Sequence, residues 1–171
     1  KYDSRIKSVT YNGYVDMDST VHIWSTEGVN GSYRSNGCYA YSYALAKEGE
    51  DTTMAGKVSF GKVPNELKPS ALGVKSAEMA VKRLGAIQPK SGSYPVVLSE
   101  EAARALLSLG SHFFSAKTIF EKTSPLKTKV GETAFSKELT IFDDPFYKDG
   151  VGSRPFDGEG VPSQKTAVIK N

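Results

Sequence analysis

The nine residues Cys38-Tyr39-Ala40-Tyr41-Ser42-Tyr43-Ala44-Leu45-Ala46 carry the clearest structural pattern in this sequence. Small and bulky side chains alternate, which is typical of a β-strand because successive side chains point to opposite faces of a sheet. The bulky face, with Tyr39, Tyr41 and Tyr43, is expected either to cover a core or to line a groove. The small face would let a helix or a neighbouring backbone approach closely.

Other strands are predicted on both sides of this one. Residues 5–15 and 21–25 are predicted strands, with Asp16–Ser19 as a turn between them. Residues 47–68 form a connector that holds one short strand at 57–60. Together these segments indicate an antiparallel meander.

Helical patterns follow from residue 69. Ser70 is a candidate N-cap, and Gly85 stands where a left-handed residue would end the helix. An apolar stripe at helical spacing is formed by Val74, Ala77, Val81 and Leu84. After a buried strand at 94–98, Ser99 would cap a second helix that is apolar around much of its circumference and therefore largely buried.

The rest of the chain adds two strands and a loop. Strands are predicted at 139–142 and 165–169, and an ordered loop rich in Gly and Pro at 145–164. The predicted class is α+β: an antiparallel β meander followed by a mixed α/β layer, with two main helices packed on a sheet. We divide the chain into a β-rich segment, 1–68, and an α/β segment, 69–171.

Composition excludes several functional classes. The 171 residues carry a net charge of +3 with scattered basic side chains, so a nucleic-acid interface is not expected. A single cysteine and the lack of an apolar membrane run or signal pattern favour a cytoplasmic protein with no membrane partner. The chain starts at Lys1 and ends just after a predicted strand, and we interpret it as an internal piece of a longer protein.

Metal or nucleophilic chemistry finds little support in the residues. His112 has no second zinc ligand one helical turn away, so a hydrogen-bonded structural histidine is favoured over a metal ligand. Cys38 has no nearby histidine base and is interpreted as a packing residue, and His22 as a surface or half-buried residue.

Acidic residues near the C-terminus leave two interpretations open. They form either a carboxylate cluster or two ordinary turns, with turns favoured, and they are Asp143, Asp144, Asp157 and Glu159. Arg154 lies among loop residues, where its planar guanidinium would suit a peptide terminus or an aspartate.

Residues 152–166, Gly-Ser-Arg-Pro-Phe-Asp-Gly-Glu-Gly-Val-Pro-Ser-Gln-Lys-Thr, resemble the signature segment of the TldD/PmbA family, also called modulators of DNA gyrase. Residues 94–99 and 139–145 occur in the family's order, and residues 31–34 also fit. The resemblance covers most of the chain, is specific in its C-terminal half, and is looser over residues 1–70.

The resemblance implies a particular branch. TldD-type members carry H-E-x-x-x-H on the helix after the Tyr-Pro-Val-Val-like strand, and these histidines, with a later cysteine, hold the metal of a peptidase. Aligned on His112, the motif has Leu107 at the first histidine and Ser108 at the glutamate. One ligand and the base are thus missing, and the Ser-Arg-Pro-Phe-Asp wording resembles the PmbA/TldE branch.

The implied function is that of a non-catalytic subunit of a heteromeric metallopeptidase for proteolysis or peptide maturation. No cofactor is expected in this chain, and zinc is expected in a TldD-type partner. The other expected partner is a peptide, and homo-oligomerisation stays open. The candidates for substrate or subunit contact are Arg154, Phe156, Asp157, Glu159, Tyr39, Tyr41 and Tyr43.

Two other functions remain as alternatives. An independent metal-dependent hydrolase would use a displaced site, built from Asp143, Asp157, Glu159 and His112. A partnership with a DNA enzyme, as the gyrase name suggests, gains no support from the small net charge.

Overall fold

The computed structural model describes residues 2–129 and 131–170. The chain divides into two compact units, Lys1–Pro89 with Asp144–Gln164 (unit 1) and Lys90–Asp143 with Lys165–Asn171 (unit 2). The strands are β1 Ile6–Trp24, β2 Asn30–Glu48, β3 Asp51–Gly61, β4 Ile141–Asp143 and β5 Thr166–Ile169. The α-helices are α1 Pro69–Lys82, α2 Glu100–Gly110 and α3 Ala116–Phe120, with 3₁₀ turns at Pro64–Glu66 and Ser111–Phe114.

Unit 1 is built on an antiparallel meander in the order β1-β2-β3, which confirms the predicted α+β class and meander. β1 is one long strand, with irregular pairing near its start, where two strands were predicted. The predicted turn at Asp16–Ser19 is wrong, because these residues pair with β2 from Cys38 to Ser35. Asp18 is accommodated on the exposed ribbon by an ion pair with Arg34 of the neighbouring strand.

The small face of β2 is covered by α1, as the alternation of residues 38–46 predicted. Ser76 of α1 donates its hydroxyl to the Ser42 carbonyl at 2.7 Å, and the Thr53 hydroxyl donates to the Ala80 carbonyl at 2.7 Å. The shared core consists of Ala44, Ala46, Ala55, Ala77 and Ala80. With methyl groups on both sides, the helix backbone can lie close to the sheet.

The helix forms where it was predicted, but its buried stripe differs. Leu72, Ser76, Ala77 and Ala80 are buried, whereas Val74 is exposed. The alanines of the sheet leave room only for small residues of α1, so the larger side chains of the helix lie at the edges of the contact. The N-cap is Lys68 rather than Ser70, and Gly85 adopts the predicted left-handed conformation at φ 73°.

The predicted boundary after residue 68 separates the β-rich segment from the α/β segment that begins with α1. In the structure α1 packs on β2 and β3, so the compact unit that holds the sheet extends to Pro89 and also includes Asp144–Gln164.

Unit 2 buries fewer of its apolar residues than the sequence predicted. β4 and β5 pair antiparallel, and the Ser99 hydroxyl caps α2 by accepting from the Ala102 amide at 3.2 Å. The predicted strand at 94–98 is wrong: this segment has no ladder partner, and Val97 is 99% exposed. The predicted burial of α2 is also wrong, since none of its residues is buried. Among the residues described for unit 2, the only sheet is the short β4–β5 pair, too small to cover both.

No helix in the described part of the chain combines the length and apolarity that crossing a membrane requires.

Replacing Ala80 by leucine should destabilise unit 1. Ala80 is 0% exposed at the helix–sheet contact, so the added atoms must push α1 away from β2. We expect the free energy of unfolding to fall by about 1–3 kcal/mol, measured by chemical denaturation. Ala71→Leu, at an exposed position of the same helix, is the matched control. Equal losses in both variants would show that the contact is not tightly packed.

Candidate functional site

Residues 155–163 form a tight turn structure within unit 1, which we call the signature hairpin. The Asp157 amide donates to the Val161 carbonyl at 3.0 Å, and the Ser163 amide donates to the Pro155 carbonyl at 2.9 Å. Phe156 also forms a β-bridge with Pro162. The predicted ordered loop at 145–164 is therefore confirmed for this part, and backbone hydrogen bonds are what order it.

The carboxylate of Asp157 is engaged inside this hairpin. Its Oδ1 accepts hydrogen bonds from the backbone amides of Glu159 at 2.9 Å and Val161 at 3.0 Å. The bond from the Glu159 amide, followed by that from Val161, lowers the pKa of Asp157 below its usual range. A charged carboxylate that already accepts two amides serves as a turn cap, which agrees with the turn interpretation of this residue.

Phe156 connects the signature hairpin to the end of the β1–β2 hairpin. Its ring meets that of Tyr33 edge to face, with centroids 5.0 Å apart. A side chain on Gly31 would place its Cβ 2.9 Å from the Phe156 Cε1 atom, so only glycine leaves room for the ring. We call the strand ends and turn from residue 23 to residue 33 the hairpin tip.

Gly160 of the signature hairpin also lies close to the hairpin tip, beside the contact of Phe156 with Gly31. Gly160 has φ 85°, a conformation that favours glycine, and a Cβ there would collide with the side chain of Val29. The signature hairpin therefore packs on the hairpin tip through one aromatic ring and one glycine backbone.

Arg154 and Glu159 lie on the exposed surface of the same segment. The Arg154 backbone amide donates to the Pro145 carbonyl at 3.1 Å, which fixes the start of the signature hairpin. Within the described residues the Arg154 guanidinium has no hydrogen bond or ion pair, but it is near enough to Asp157 to help lower the pKa of that carboxyl. Its donor groups are thus available to an acceptor from another molecule.

Tyr39, Tyr41 and Tyr43 lie on the face of β2 opposite α1, which we call the tyrosine face. All three are half-buried, and the Tyr39 ring lies 6.4 Å from that of Tyr41 and 5.9 Å from that of Phe60, between centroids. The neighbouring Phe60 is 60% exposed and was not predicted as a site residue. Its place in the predicted strand at 57–60 could have indicated that it lies on the sheet with the tyrosines.

The predicted contact residues fall into two groups within unit 1. One group, Arg154, Phe156, Asp157 and Glu159, belongs to the signature hairpin or immediately precedes it, and the three tyrosines belong to the sheet. Gly31 and Tyr33 were not predicted as site residues. The resemblance took residues 31–34 as a turn, whereas they lie in β2, and no local pattern indicates a contact with Phe156.

The three residues that the resemblance aligns with the TldD-type metal motif lie in unit 2. Leu107 and Ser108 are exposed on α2, and His112 is exposed in the 3₁₀ turn that follows. His112 was interpreted as a hydrogen-bonded structural histidine, but it lies exposed in the turn that follows α2. Leu107 lines an apolar groove of about 940 Å³ together with Phe113 and Phe114.

These residues do not fit a catalytic zinc ion. Leucine has no donor atom, serine is not a carboxylate base, and one imidazole cannot supply the usual three protein ligands. Over residues 2–129 and 131–170, no group of three or more His, Cys, Asp or Glu side chains is placed to hold a metal. The residues proposed for a displaced hydrolytic site are divided between the two units, with Asp143 and His112 in unit 2.

Comparison with known proteins identifies the family. The family model for the PmbA/TldA metallopeptidase central domain matches residues 1–84, and the model for the C-terminal domain matches residues 91–171. This chain belongs to the TldD/PmbA family. The resemblance carried by residues 152–166 is therefore confirmed.

Relatives in the TldD/PmbA family are identical to this chain at about a quarter to a third of the aligned residues. A metalloprotease PmbA homologue from Buchnera aphidicola is 26% identical over 98% of this chain and 38% of its own length. A metalloprotease from Methanothermobacter thermautotrophicus is 31% identical over 92% of this chain and 36% of its own length. The chain thus spans less than two fifths of these relatives.

Solved structures of the family share the fold. A protein described as a modulator of DNA gyrase, from Thermotoga maritima, matches 98% of this chain and 39% of its own with 29% identity and a TM-score of 0.92. TldE from Thermococcus kodakarensis matches 93% of this chain and 36% of its own with 22% identity and a TM-score of 0.74, which shows the fold alone.

The Asp157 carboxyl should titrate below the value of about 3.9 for an unperturbed aspartate. Because its folded pKa is lowered, its contribution to the turn is complete above the unfolded pKa and is lost as pH falls through the folded pKa. NMR shifts of the Glu159 and Val161 amides, followed between pH 6 and 2, should report this step. In Asp157→Asn, which keeps an acceptor oxygen but cannot ionise, the step should disappear. A midpoint at or above 3.9 in the unmodified protein would contradict the assignment.

Proposed function

We propose that this chain forms part of a non-catalytic subunit of a heteromeric metallopeptidase of the TldD/TldE type, which binds and encloses peptides in the cytoplasm. The observation that carries the proposal is the residue pair Leu107 and Ser108 at the positions of the first histidine and the glutamate of H-E-x-x-x-H. Without these two side chains the helix has neither the second imidazole nor the carboxylate base that the peptidase chemistry requires. The zinc and the hydrolytic step would then belong to a TldD-type partner.

Arg154 supports a binding role for the signature hairpin. It is exposed, its backbone is fixed by Pro145, and its guanidinium has no acceptor within the described residues. A guanidinium can form two parallel hydrogen bonds with a carboxylate, which suits a peptide terminus or an acidic side chain of the partner subunit.

The sheet supports a second kind of peptide contact. Both outer strands, β1 and β3, pair only with β2 among the described strands, so each has one open edge. An extended peptide can add to an open edge through main-chain hydrogen bonds, which makes little demand on its sequence. The tyrosine face would then contact alternate side chains of that peptide.

The names of the relatives favour one alternative, since several are called metalloproteases. An independent metal-dependent hydrolase would need a site away from Leu107. Of the residues considered for it, the Asp157 carboxylate already accepts two backbone amides of its own turn, which leaves it poorly suited to act as a base.

Activity measurements separate the two functions. We expect the protein alone to cleave no peptide, and cleavage to appear when a TldD-type catalytic subunit is added. Metal analysis by mass spectrometry should assign the zinc to the catalytic subunit. Cleavage by the protein alone, with stoichiometric metal, would overturn the proposal, and loss of that cleavage in Asp157→Ala would support the displaced hydrolase instead.

Arg154→Ala should weaken binding to the TldD-type subunit or to peptide. A hydrogen bond to a charged group contributes roughly 1.5–3 kcal/mol, so the dissociation constant should rise about 10- to 100-fold in isothermal titration calorimetry. Arg154→Lys keeps the charge but not the paired donors and should give an intermediate loss. Lys82→Ala, an exposed cation on α1, is the control and should bind normally. Unchanged affinity in Arg154→Ala for both ligands would remove this residue from the site.

A further inference from the structure

The long β1–β2 hairpin has a proximal half, which includes Cys38–Glu48, and a distal half, which ends in the hairpin tip. Different elements pack on the two halves. β3 pairs with β2 only over Cys38–Glu48, and α1 packs on that same half. Beyond it, the ladder from Met17 opposite Gly37 to Trp24 opposite Asn30 has two strands and no third among those the structure describes. A two-stranded ribbon is marginally stable in water, so this distal half needs packing from elsewhere.

That packing comes from the segment Asp144–Gln164. Phe156 lies over Gly31 and against Tyr33, and Gly160 lies against Val29. Further along the ribbon, the Val151 side chain lies 3.5 Å from the position that a Cβ on Gly37 would occupy. Gly31, Tyr33 and Gly37 alternate with residues that point the other way, so the contacts of Phe156 and Val151 lie on one face of β2.

This face is the continuation of the tyrosine face and is opposite the one that α1 covers. The proximal half of the hairpin is thus covered on its small face by a helix, and the distal half on its other face by the signature hairpin. Each half depends on a separate piece of chain.

We infer that Phe156 is a positioning residue, which holds the hairpin tip and the signature hairpin together as one binding surface. Seated over Gly31, its ring fixes Arg154, two residues earlier, relative to the hairpin tip. The partner of this composite surface is a peptide that presents a carboxylate, recognised by Arg154. This last point rests on the proposed function, whereas the coupling between the two hairpins does not.

Hydrogen exchange followed by mass spectrometry tests the coupling directly. In Phe156→Ala, amides of residues 17–24 and 30–37 should exchange at least about ten-fold faster, because the ribbon loses the aromatic contact with Gly31 and Tyr33. Amides of α1 and β3 should be unchanged, which also shows that the variant is folded. Gly31→Ala should reproduce the effect by displacing the ring, and Phe156→Leu should restore part of the protection.

Two controls match these variants. Phe146→Ala removes an aromatic ring that is 60% exposed in the same segment, and Ser32→Ala alters an exposed neighbour of Gly31. Both should leave exchange in the hairpin tip unchanged.

Affinity for a peptide with a free terminal carboxylate completes the test. We expect Phe156→Ala to weaken binding about as much as Arg154→Ala, although Phe156 need not touch the ligand, and Phe156→Leu to recover part of it. Unchanged exchange in Phe156→Ala and Gly31→Ala would overturn the inference and leave the proposed function standing. Faster exchange with normal affinity, while Arg154→Ala binds weakly, would overturn the positioning role alone. Normal affinity in both variants would overturn the binding surface itself, and with it the role proposed for Arg154.

Discussion

The close approach of α1 to the alanine face of β2 is the contact on which the rest of unit 1 depends. Alanine methyl groups from both elements fill the space between them, and the hydroxyls of Ser76 and Thr53 donate to backbone carbonyls across the contact. Within the described residues, no buried side-chain nitrogen or oxygen lacks a hydrogen-bond partner. Since α1 occupies one face of the sheet, the tyrosines must point to the other, where they remain half-buried and accessible.

Alternation in residues 38–46 was sufficient to predict the strand, its two faces and a close approach on the small face by a helix or a backbone, because a two-residue period determines which side chains share a face. Details that depend on the partner surface were predicted less well. The buried stripe of α1 was placed on Val74 rather than Ala80, since sequence alone does not reveal that the opposing surface consists of methyl groups. Exposure of α2 and of residues 94–98 was missed for a similar reason: apolar composition predicts burial only where another surface is available.

In the candidate site, too, features formed by residues adjacent in sequence were predicted, and contacts between residues far apart in sequence were not. Turn-forming residues around Asp157 predicted an ordered loop, and the cap that this carboxylate forms follows from ordinary aspartate turn chemistry. The contact of Phe156 with Gly31 and Tyr33 has no local signature, because glycine in a strand can reflect a bulge, a bend or a close approach. The placement of Leu107 and Ser108 on the H-E-x-x-x-H motif, in contrast, rests on the sequence resemblance and needs no information about the fold.

The contact between Gly31 and Phe156 also bears on how the protein acquires its structure during synthesis. These residues are separated by about 125 positions, and closing so long a loop is entropically costly. As the polypeptide leaves the ribosome, the meander and α1 can form early from neighbouring segments, whereas the far end of the ribbon must wait for Phe156. Until then, the distal pair of strands in the nascent chain lacks the contact of Phe156 with Gly31 and Tyr33. This interval is when chaperones would be most needed and when aggregation would most readily compete with folding.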